Sequence, residues 1–301
     1  MDAHGFACRL VSYDEVAQSR DTPQPGQKPR PLASRHVSIK DENAASPRKA
    51  TNRKPQTLAE AMIRDQPLAR ESLAALHGSS YSAAMPAAER LQTIRDGIAS
   101  AARVARRESA GVTLVAVSKM RPAEEIEALV EAGQRDFGEN RVEEAQSKWH
   151  DLLARHPDVR LHCIGRLQSN KAGEAVRLFN VIHSVDRPSL LDALAKEARK
   201  ASRFPAVYVQ VNIGDEPQKG GCPIAEVGDF VAAVRRSPLP LAGLMCIPPL
   251  GLEPSPFFAL LAKIAREQDV TGLSMGMSRD YKTAVMLGAT AVRVGTALFE
   301  G

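Results

Sequence analysis

Lys119 is the residue whose position in the sequence best suits it to covalent chemistry. It follows VTLVAVS at 112–118, an apolar and largely β-branched run that is typical of a strand buried on both faces of a parallel sheet. The C-terminal ends of such strands carry the chemistry of α/β folds. A lysine there can lose part of its hydration, which leaves a neutral amine able to form a Schiff base. On this stretch alone, a lysine extending into water is an equally good interpretation.

Two stretches near the C-terminus contain residues suited to binding an anion. In LSMGMSRDYKTAVMLGA at 273–289, a predicted strand ends at Gly276 and passes through Ser278 into a predicted helix of about ten residues. In ATAVRVGTALFEG at 289–301, the last predicted strand is followed by Gly295 and Thr296. Taken singly, Ser278 can be only a helix cap and Gly295 only a turn. Together they predict a phosphate site.

Eight predicted strands must position these residues. Helical stretches with apolar residues at helical spacing separate the strands, over about 215 residues, which is the count and length of a (β/α)₈ barrel. An open doubly wound sheet is disfavoured because no GxGxxG follows the first strand. The predicted strands are Thr113–Ser118, Arg135–Gly138, Arg160–Gly165, Val181–Val185, Ala206–Ile213, Ala242–Ile247, Gly272–Met275 and Ala291–Val294. In such barrels the loops after strands seven and eight commonly hold phosphate.

Residues 1–80 are predicted to be a disordered extension ahead of a barrel domain at 81–301. The segment is rich in Pro, Ser, Lys and Arg and has no sustained apolar periodicity, so burial cannot offset the entropy of ordering it. A fragment at 57–76 could be helical, although Pro67 interrupts it.

Composition excludes several classes of function. Aromatic residues make up 4% of the chain and the net charge of +5 is scattered, which argues against a nucleic-acid partner. The four cysteines are far apart and lack metal-ligand spacing, so we expect no metal and a reduced, cytoplasmic protein. No secretory signal and no apolar run approaching the ~20 residues of a membrane span are visible.

A lysine beside a phosphate site indicates a phosphorylated aldehyde as ligand. Pyridoxal 5′-phosphate is the commonest cofactor of this kind. A sugar-phosphate aldolase that forms Schiff bases would use similar residues, so the residues alone leave both open.

The region from about residue 86 onward resembles the pyridoxal phosphate homeostasis proteins, a family related to the N-terminal barrel of alanine racemase. Seven motifs occur in the same order, one at each of seven strand ends. They are VAVSK at 115–119, FGENRVEEA at 137–145, HCIGRLQSNK at 162–171, VNIGDEPQKGG at 211–221, GLMCIP at 243–248, SMGMSRD at 274–280 and VRVGTALF at 292–299. The resemblance implies the barrel of the fold type III pyridoxal phosphate class, and it does not cover residues 1–80.

Residue by residue, the resemblance implies a cofactor site. Lys119 matches the family lysine that holds the cofactor as an internal aldimine, and Arg293 matches the arginine that faces the pyridine nitrogen. Asn140 matches an asparagine near the ring, although capping of the following helix explains it equally well.

The same resemblance implies the contacts to the phosphate group. Gly276, Ser278, Gly295 and Thr296 match the phosphate-binding groups of the family. Ser274 is a weaker candidate for cofactor binding.

The implied function is to bind pyridoxal phosphate and to take part in vitamin B6 homeostasis, with no robust turnover. A permanently cationic arginine keeps the pyridine nitrogen unprotonated, which weakens carbanion chemistry. Racemases add a tyrosine base from another domain, and we expect neither that domain here nor Tyr208 or Tyr281 at a strand end facing Lys119. The alternative is a pyridoxal-dependent amino-acid racemase. We expect a monomer, with apoenzymes that require the cofactor as further partners.

Two positions need separate interpretation. Arg121 stands where family members often carry a second lysine, so a second amine is lost there. Lys219 matches a family lysine and could contact the cofactor, but a solvated loop lysine is the favoured interpretation.

Overall fold

The computed structural model describes residues 85–300 and contains a closed barrel of eight parallel strands. Each strand pairs with the next in sequence, and β1 closes the barrel against β8. The strands are β1 (Thr113–Val117), β2 (Asp136–Glu139), β3 (Arg160–Cys163), β4 (Val181–Val185), β5 (Ala206–Gln210), β6 (Leu241–Met245), β7 (Leu273–Ser274) and β8 (Ala291–Val294).

Nine α-helices surround the strands within this part of the chain. The first precedes β1, the next seven each follow one strand, and the last follows β8. They are α1 (Ala87–Val104), α2 (Ala123–Glu131), α3 (Val142–Arg155), α4 (Ala172–Leu178), α5 (Pro188–Ala201), α6 (Val227–Arg236), α7 (Ser255–Glu267), α8 (Tyr281–Met286) and α9 (Thr296–Phe299).

The predicted (β/α)₈ barrel is confirmed. All eight predicted strands are present, and β4 and β8 have the predicted bounds. For some of the other strands, the apolar sequence pattern predicts more residues than the structure contains. The fifth predicted strand, for example, ends at Gln210. Val211 beyond it forms an isolated bridge with Cys222, while its amide still donates to the Met245 carbonyl at 2.8 Å.

The apolar core lies between the barrel and its helices. Trp149 on α3 is fully buried and lies against Phe137 of β2, with ring centroids 5.0 Å apart. Leu114 and Ala116 of β1 belong to the same core cluster. Successive residues of a strand point to opposite faces, so the alternate positions of each strand face the barrel lumen.

Residues 1–84 lie outside the described part of the chain. The predicted disordered extension and the candidate helix at 57–76 therefore remain predictions, as does the boundary near residue 81. Within residues 85–300, no helix is both long and apolar enough to cross a membrane.

Two glycines allow β6 and β7 to approach each other closely. A Cβ at Gly272 would overlap the carbonyl oxygen of Ala242, and a Cβ at Gly243 would overlap that of Gly272. The Gly272 carbonyl also accepts a hydrogen bond from the Leu244 amide at 2.9 Å. A side chain at either position would push the two strands apart.

We expect Gly272→Ala to lower the free energy of unfolding by at least about 3 kcal/mol, because backbone cannot move aside as a flexible side chain can. Urea unfolding measures the change. Gly111→Ala is the matched control, since a Cβ there meets nothing within 4 Å. Equal stability of the two variants would contradict the close approach of β6 and β7.

Candidate functional site

Lys119 lies at the mouth formed by the C-terminal ends of the strands. It is the second residue after β1 and is exposed, so the predicted partial loss of hydration is not found. The register pairs Val117 with Gly138. Lys119 and Asn140, each two residues further on, therefore leave the barrel on adjacent strands. Among the described residues, the Lys119 side chain has no hydrogen-bond partner, which leaves its amine available.

The backbone on both sides of Lys119 is fixed to α3. The Lys148 ammonium donates to the carbonyl of Ser118 at 2.7 Å. The amide of Met120 donates to Glu144 Oε1 at 2.5 Å, and Met120 has a left-handed backbone with φ 57°. The lysine side chain thus projects from a backbone that is held immediately before and after it.

Glu139 is the buried centre of this support. Its Oε1 accepts from Ser118 Oγ at 2.7 Å, Trp149 Nε1 at 2.9 Å and Lys148 Nζ at 3.0 Å. Lys148 also pairs with Glu144 at 2.9 Å. Burial raises the pKa of Glu144, but the Met120 amide and Lys148 outweigh it and leave that pKa below its ordinary value. We call Glu139, Glu144 and Lys148 the α3 clamp.

The predicted phosphate residues come together between β7, β8 and β1. The Gly295 amide donates to Ser278 Oγ at 3.3 Å, and Gly295 precedes α9, which begins at Thr296. Gly295 also lies against the end of β1, since a Cβ there would sit 3.3 Å from the Val117 carbonyl oxygen. These groups therefore adjoin the strand that carries Lys119.

Two local predictions around Ser278 are wrong. The following helix, α8, has six residues rather than about ten, and Asp280 precedes it as the cap residue. Ser278 is therefore not a helix cap, and its hydroxyl faces Gly295 instead. The Asp280 carboxylate accepts from the Met277 amide at 2.5 Å, which fixes the turn between them.

Gly276 is required by its backbone conformation and by its packing against α8. Its φ of +93° is in the left-handed region, and a Cβ there would meet the Ala284 side chain at 2.5 Å. Two residues further on, the Ser278 hydroxyl adjoins the Gly295 backbone. This cradle of a hydroxyl group and glycine backbone fits the phosphate group of a phosphorylated aldehyde.

Arg293 projects into the lumen beneath this cradle. It is 4% exposed, and its Nη1 and Nη2 donate to Ser274 Oγ at 2.6 Å and to the Cys246 carbonyl at 3.0 Å. Burial lowers the pKa of its guanidinium, which still remains charged because its ordinary pKa is so high. Within residues 85–300, no carboxylate lies within salt-bridge distance of it.

Ser274 connects Arg293 to two histidines that the sequence analysis did not include in the site. Ser274 Oγ lies 2.8 Å from His183 Nδ1, and His183 Nε2 lies 2.9 Å from His162 Nδ1. His162 Nε2 lies 2.8 Å from Asp136 Oδ1. Because Ser274 Oγ contacts both Arg293 and His183, we assign Ser274 to the support of Arg293.

Asn140 does not cap α3. That helix begins at Val142 with Arg141 as its cap residue, and no side-chain capping bond is present. The capping interpretation is therefore wrong. The half-buried Asn140 side chain has no hydrogen-bond partner among the described residues, which leaves its amide free for a ligand beside Lys119.

Lys219 and Arg121 both make structural contacts. Lys219 pairs with Glu216 at 2.6 Å and donates to the Pro248 carbonyl at 3.2 Å, so it joins the loops after β5 and β6 rather than extending freely into solvent. Arg121 pairs with Glu300 and lies over the ring of Phe299, 5.3 Å from its centroid.

The tyrosines and free cysteines of the described residues are packed against other groups or buried. Tyr208 stacks on His183 inside the barrel, with centroids 4.5 Å apart, and the Tyr281 hydroxyl packs against Gly97 of α1. Burial raises the pKa of Cys163 and Cys246 to about 12 and that of Cys222 to about 11. These thiols are therefore poor nucleophiles. No cluster of metal-ligating residues occurs between residues 85 and 300.

Known proteins with similar sequences match the barrel region of this chain. The profile of the family "Alanine racemase, N-terminal domain" matches residues 90–301. The pyridoxal phosphate homeostasis protein of Synechocystis sp. is 41% identical over 198 residues, covering 62% of this chain and 90% of that protein. Its counterpart from Escherichia coli K12 is 38% identical over 223 residues, covering 70% and 95%.

A solved structure shares the fold over the same region. PipY of Synechococcus elongatus, determined with pyridoxal phosphate bound, is 39% identical. The match has a TM-score of 0.62 and covers 71% of this chain and 99% of that one.

We expect Lys148→Met to lower the free energy of unfolding by about 3 kcal/mol, because it leaves the buried Glu139 carboxylate without its cation. Urea unfolding measures the loss. Lys200→Met is the control, since Lys200 is 73% exposed and 3.7 Å from Glu197, and it should change stability by less than about 0.5 kcal/mol. Equal free energies of unfolding for the two variants would show that the α3 clamp does not stabilise the fold.

We expect stability to decrease as the pH falls below about 6.5, the ordinary histidine pKa. Burial lowers the pKa of His162, and burial beside the cationic Arg293 lowers that of His183 further. The unfolded chain therefore takes up protons first, which costs up to about 1.4 kcal/mol per pH unit for each histidine.

Denaturant unfolding between pH ~7.5 and ~5.5 measures this dependence. His150→Gln is the control, because the His150 side chain is 86% exposed, and it should leave the profile unchanged. A flat profile for the unmodified chain would contradict the buried, neutral state of the two histidines.

Proposed function

Because this chain belongs to the family of pyridoxal phosphate homeostasis proteins, we propose that it binds pyridoxal 5′-phosphate at the barrel mouth and takes part in vitamin B6 homeostasis. The observation that carries the proposal is the meeting of an available lysine with a phosphate cradle on adjacent strands. Lys119 follows β1, and Gly295, next to Ser278, lies against the end of that same strand.

Lys119 supplies the covalent attachment in this proposal. Its amine would hold the aldehyde carbon of the cofactor as a Schiff base, with one water molecule released. Asn140, on the adjacent strand end, has a side-chain amide without a partner among residues 85–300 and could contact the same ligand. The α3 clamp holds the backbone from which Lys119 projects.

The remaining groups orient the cofactor. Ser278 Oγ, the backbone around Gly276 and Gly295, and Thr296 would hold the phosphate. Arg293 would meet the ring nitrogen as a donor, since a guanidinium has no acceptor, and it would therefore leave that nitrogen unprotonated.

We propose that the protein carries the cofactor without robust turnover. A racemase needs a second base opposite its lysine, and both tyrosines of the described residues lie elsewhere, one inside the barrel and one against α1. We also propose that the protein is a monomer and that it is located in the cytoplasm. The free thiols of Cys163, Cys222 and Cys246 would persist in that reducing environment. Apoenzymes that need the cofactor would be its recipients.

The second candidate is a pyridoxal-dependent amino-acid racemase. It is favoured by the match to the alanine racemase N-terminal domain family.

We expect the protein incubated with pyridoxal phosphate to show an absorbance band near ~420 nm, the usual region for a protonated Schiff base of this cofactor. Lys119→Ala should lose the band and keep the fold, as judged by circular dichroism. Lys200→Ala, another exposed lysine, should keep the band. An absence of the band in the unmodified protein, even with excess cofactor, would refute the proposed function.

We expect no conversion of L-amino acids to their D-forms by the loaded protein, because neither tyrosine of residues 85–300 is placed to act as a second base. Chiral chromatography over a panel of amino acids measures this, with an alanine racemase as positive control. Turnover that disappears in Lys119→Ala would replace the carrier proposal with the racemase.

A further inference from the structure

A continuous chain of hydrogen bonds crosses the barrel lumen from Arg293 to Asp136. Between them lie Ser274, His183 and His162, and the four successive contacts measure 2.6, 2.8, 2.9 and 2.8 Å. Ser274 and both histidines are almost fully buried, whereas the Asp136 side chain is 20% exposed at the opposite end of the barrel from the mouth. The chain links residues of β8, β7, β4, β3 and β2.

The two ends and the neutral imidazoles together fix the direction of every hydrogen bond. Burial lowers the pKa of His162 and of His183, so each ring is neutral and has one donor and one acceptor nitrogen. A guanidinium can only donate, and an ionised carboxylate can only accept. His162 therefore donates from Nε2 to Asp136 and accepts at Nδ1 from His183 Nε2. Ser274 accepts from Arg293 and donates to His183 Nδ1, so both rings carry their hydrogen on Nε2.

This direction gives the chain a structural role rather than a proton-conducting one. Proton transfer along it would require Arg293 to give up a proton, which guanidinium groups in proteins do not do. The chain instead connects a buried cation, which has no carboxylate within salt-bridge distance among residues 85–300, to the Asp136 carboxylate. That carboxylate also lies 3.7 Å from Nη1 of the exposed Arg160. Tyr208, stacked on His183, restricts the ring between the two ends.

We propose that Asp136, His162 and His183 are positioning residues that, through Ser274, hold the Arg293 guanidinium in the orientation in which it meets the ring nitrogen of the ligand. The inference rests on the proposed function for the identity of that ligand. We call the hydrogen-bonded series from Arg293 to Asp136 the lumen chain. In this proposal the lumen chain serves recognition of the ring, and the Ser278 and Gly295 cradle serves recognition of the phosphate.

The first test needs no ligand. Long-range ¹H–¹⁵N spectra of the ¹⁵N-labelled full chain report which nitrogen of each imidazole carries hydrogen, with His162→Gln and His183→Gln used to assign the signals. We expect both rings to be neutral Nε2–H tautomers at pH ~7.5. A hydrogen on Nδ1 of either ring, or a charged ring, would contradict the direction of the hydrogen bonds and overturn the proposal.

The second test measures affinity for two probes in the unmodified chain and in variants. Ser274→Ala should weaken pyridoxal phosphate binding by about tenfold, because Arg293 loses a charge-assisted hydrogen bond. Inorganic phosphate, measured by competition, should bind the variant as it binds the unmodified chain. Ser184→Ala is the control, since its buried hydroxyl donates to the Gly165 carbonyl at 2.6 Å instead, and it should bind both probes normally.

Asp136→Asn keeps the inference testable if Ser274→Ala does not fold. The amide oxygen can still accept from His162, so only the negative charge is lost, and pyridoxal phosphate affinity should fall severalfold without a change for phosphate. Unchanged affinity in the folded variants, or equal losses for both probes, would overturn the positioning role. If the unmodified protein does not bind pyridoxal phosphate, the proposed function is refuted instead. The tautomers of His162 and His183 would still test the lumen chain.

Discussion

A charged guanidinium enclosed in a closed barrel constrains the whole lumen. Moving an unpaired charge out of water costs several kcal/mol, so each part of the lumen near Arg293 must supply acceptors or compensate the charge. Barrels of this kind usually fill the interior with layers of branched apolar side chains. Here a serine, two histidines and an aspartate occupy lumen-facing positions of four strands instead. The interior is therefore specified by hydrogen-bond direction as much as by shape.

The site is supported from two sides. The lumen chain holds Arg293 from within the barrel, and the α3 clamp holds the backbone around Lys119 from outside it. The phosphate cradle lies between them and consists of loop backbone and a serine hydroxyl. The groups that we propose for the ring, the aldehyde and the phosphate are thus held by different hydrogen bonds.

The sequence was sufficient to predict the fold and the residues at the strand ends. Strand composition and spacing located all eight strands, and Lys119, Ser278 and Gly295 were identified from their positions after them. Capping was misjudged at Asn140 and Ser278, because both helices begin further along the chain than the polar residue suggested. The lumen chain depends on register between distant strands, since His183 and Ser274 are 91 residues apart. A signal was nevertheless present, because polar residues recur at alternate positions of strands predicted to be buried on both faces.

The fixed backbone at Lys119 has a thermodynamic consequence for reversible capture of a ligand. Ordering a mobile loop costs about 1–2 kcal/mol for each residue, and this would be subtracted from the affinity of every binding event. Here the neighbours of the lysine are held by Lys148 and Glu144. At Lys119 itself only the side-chain rotamers then remain to be ordered, at a cost of about 2 kcal/mol. Under the proposed function, binding and release at Lys119 would therefore change the entropy of the surrounding backbone little.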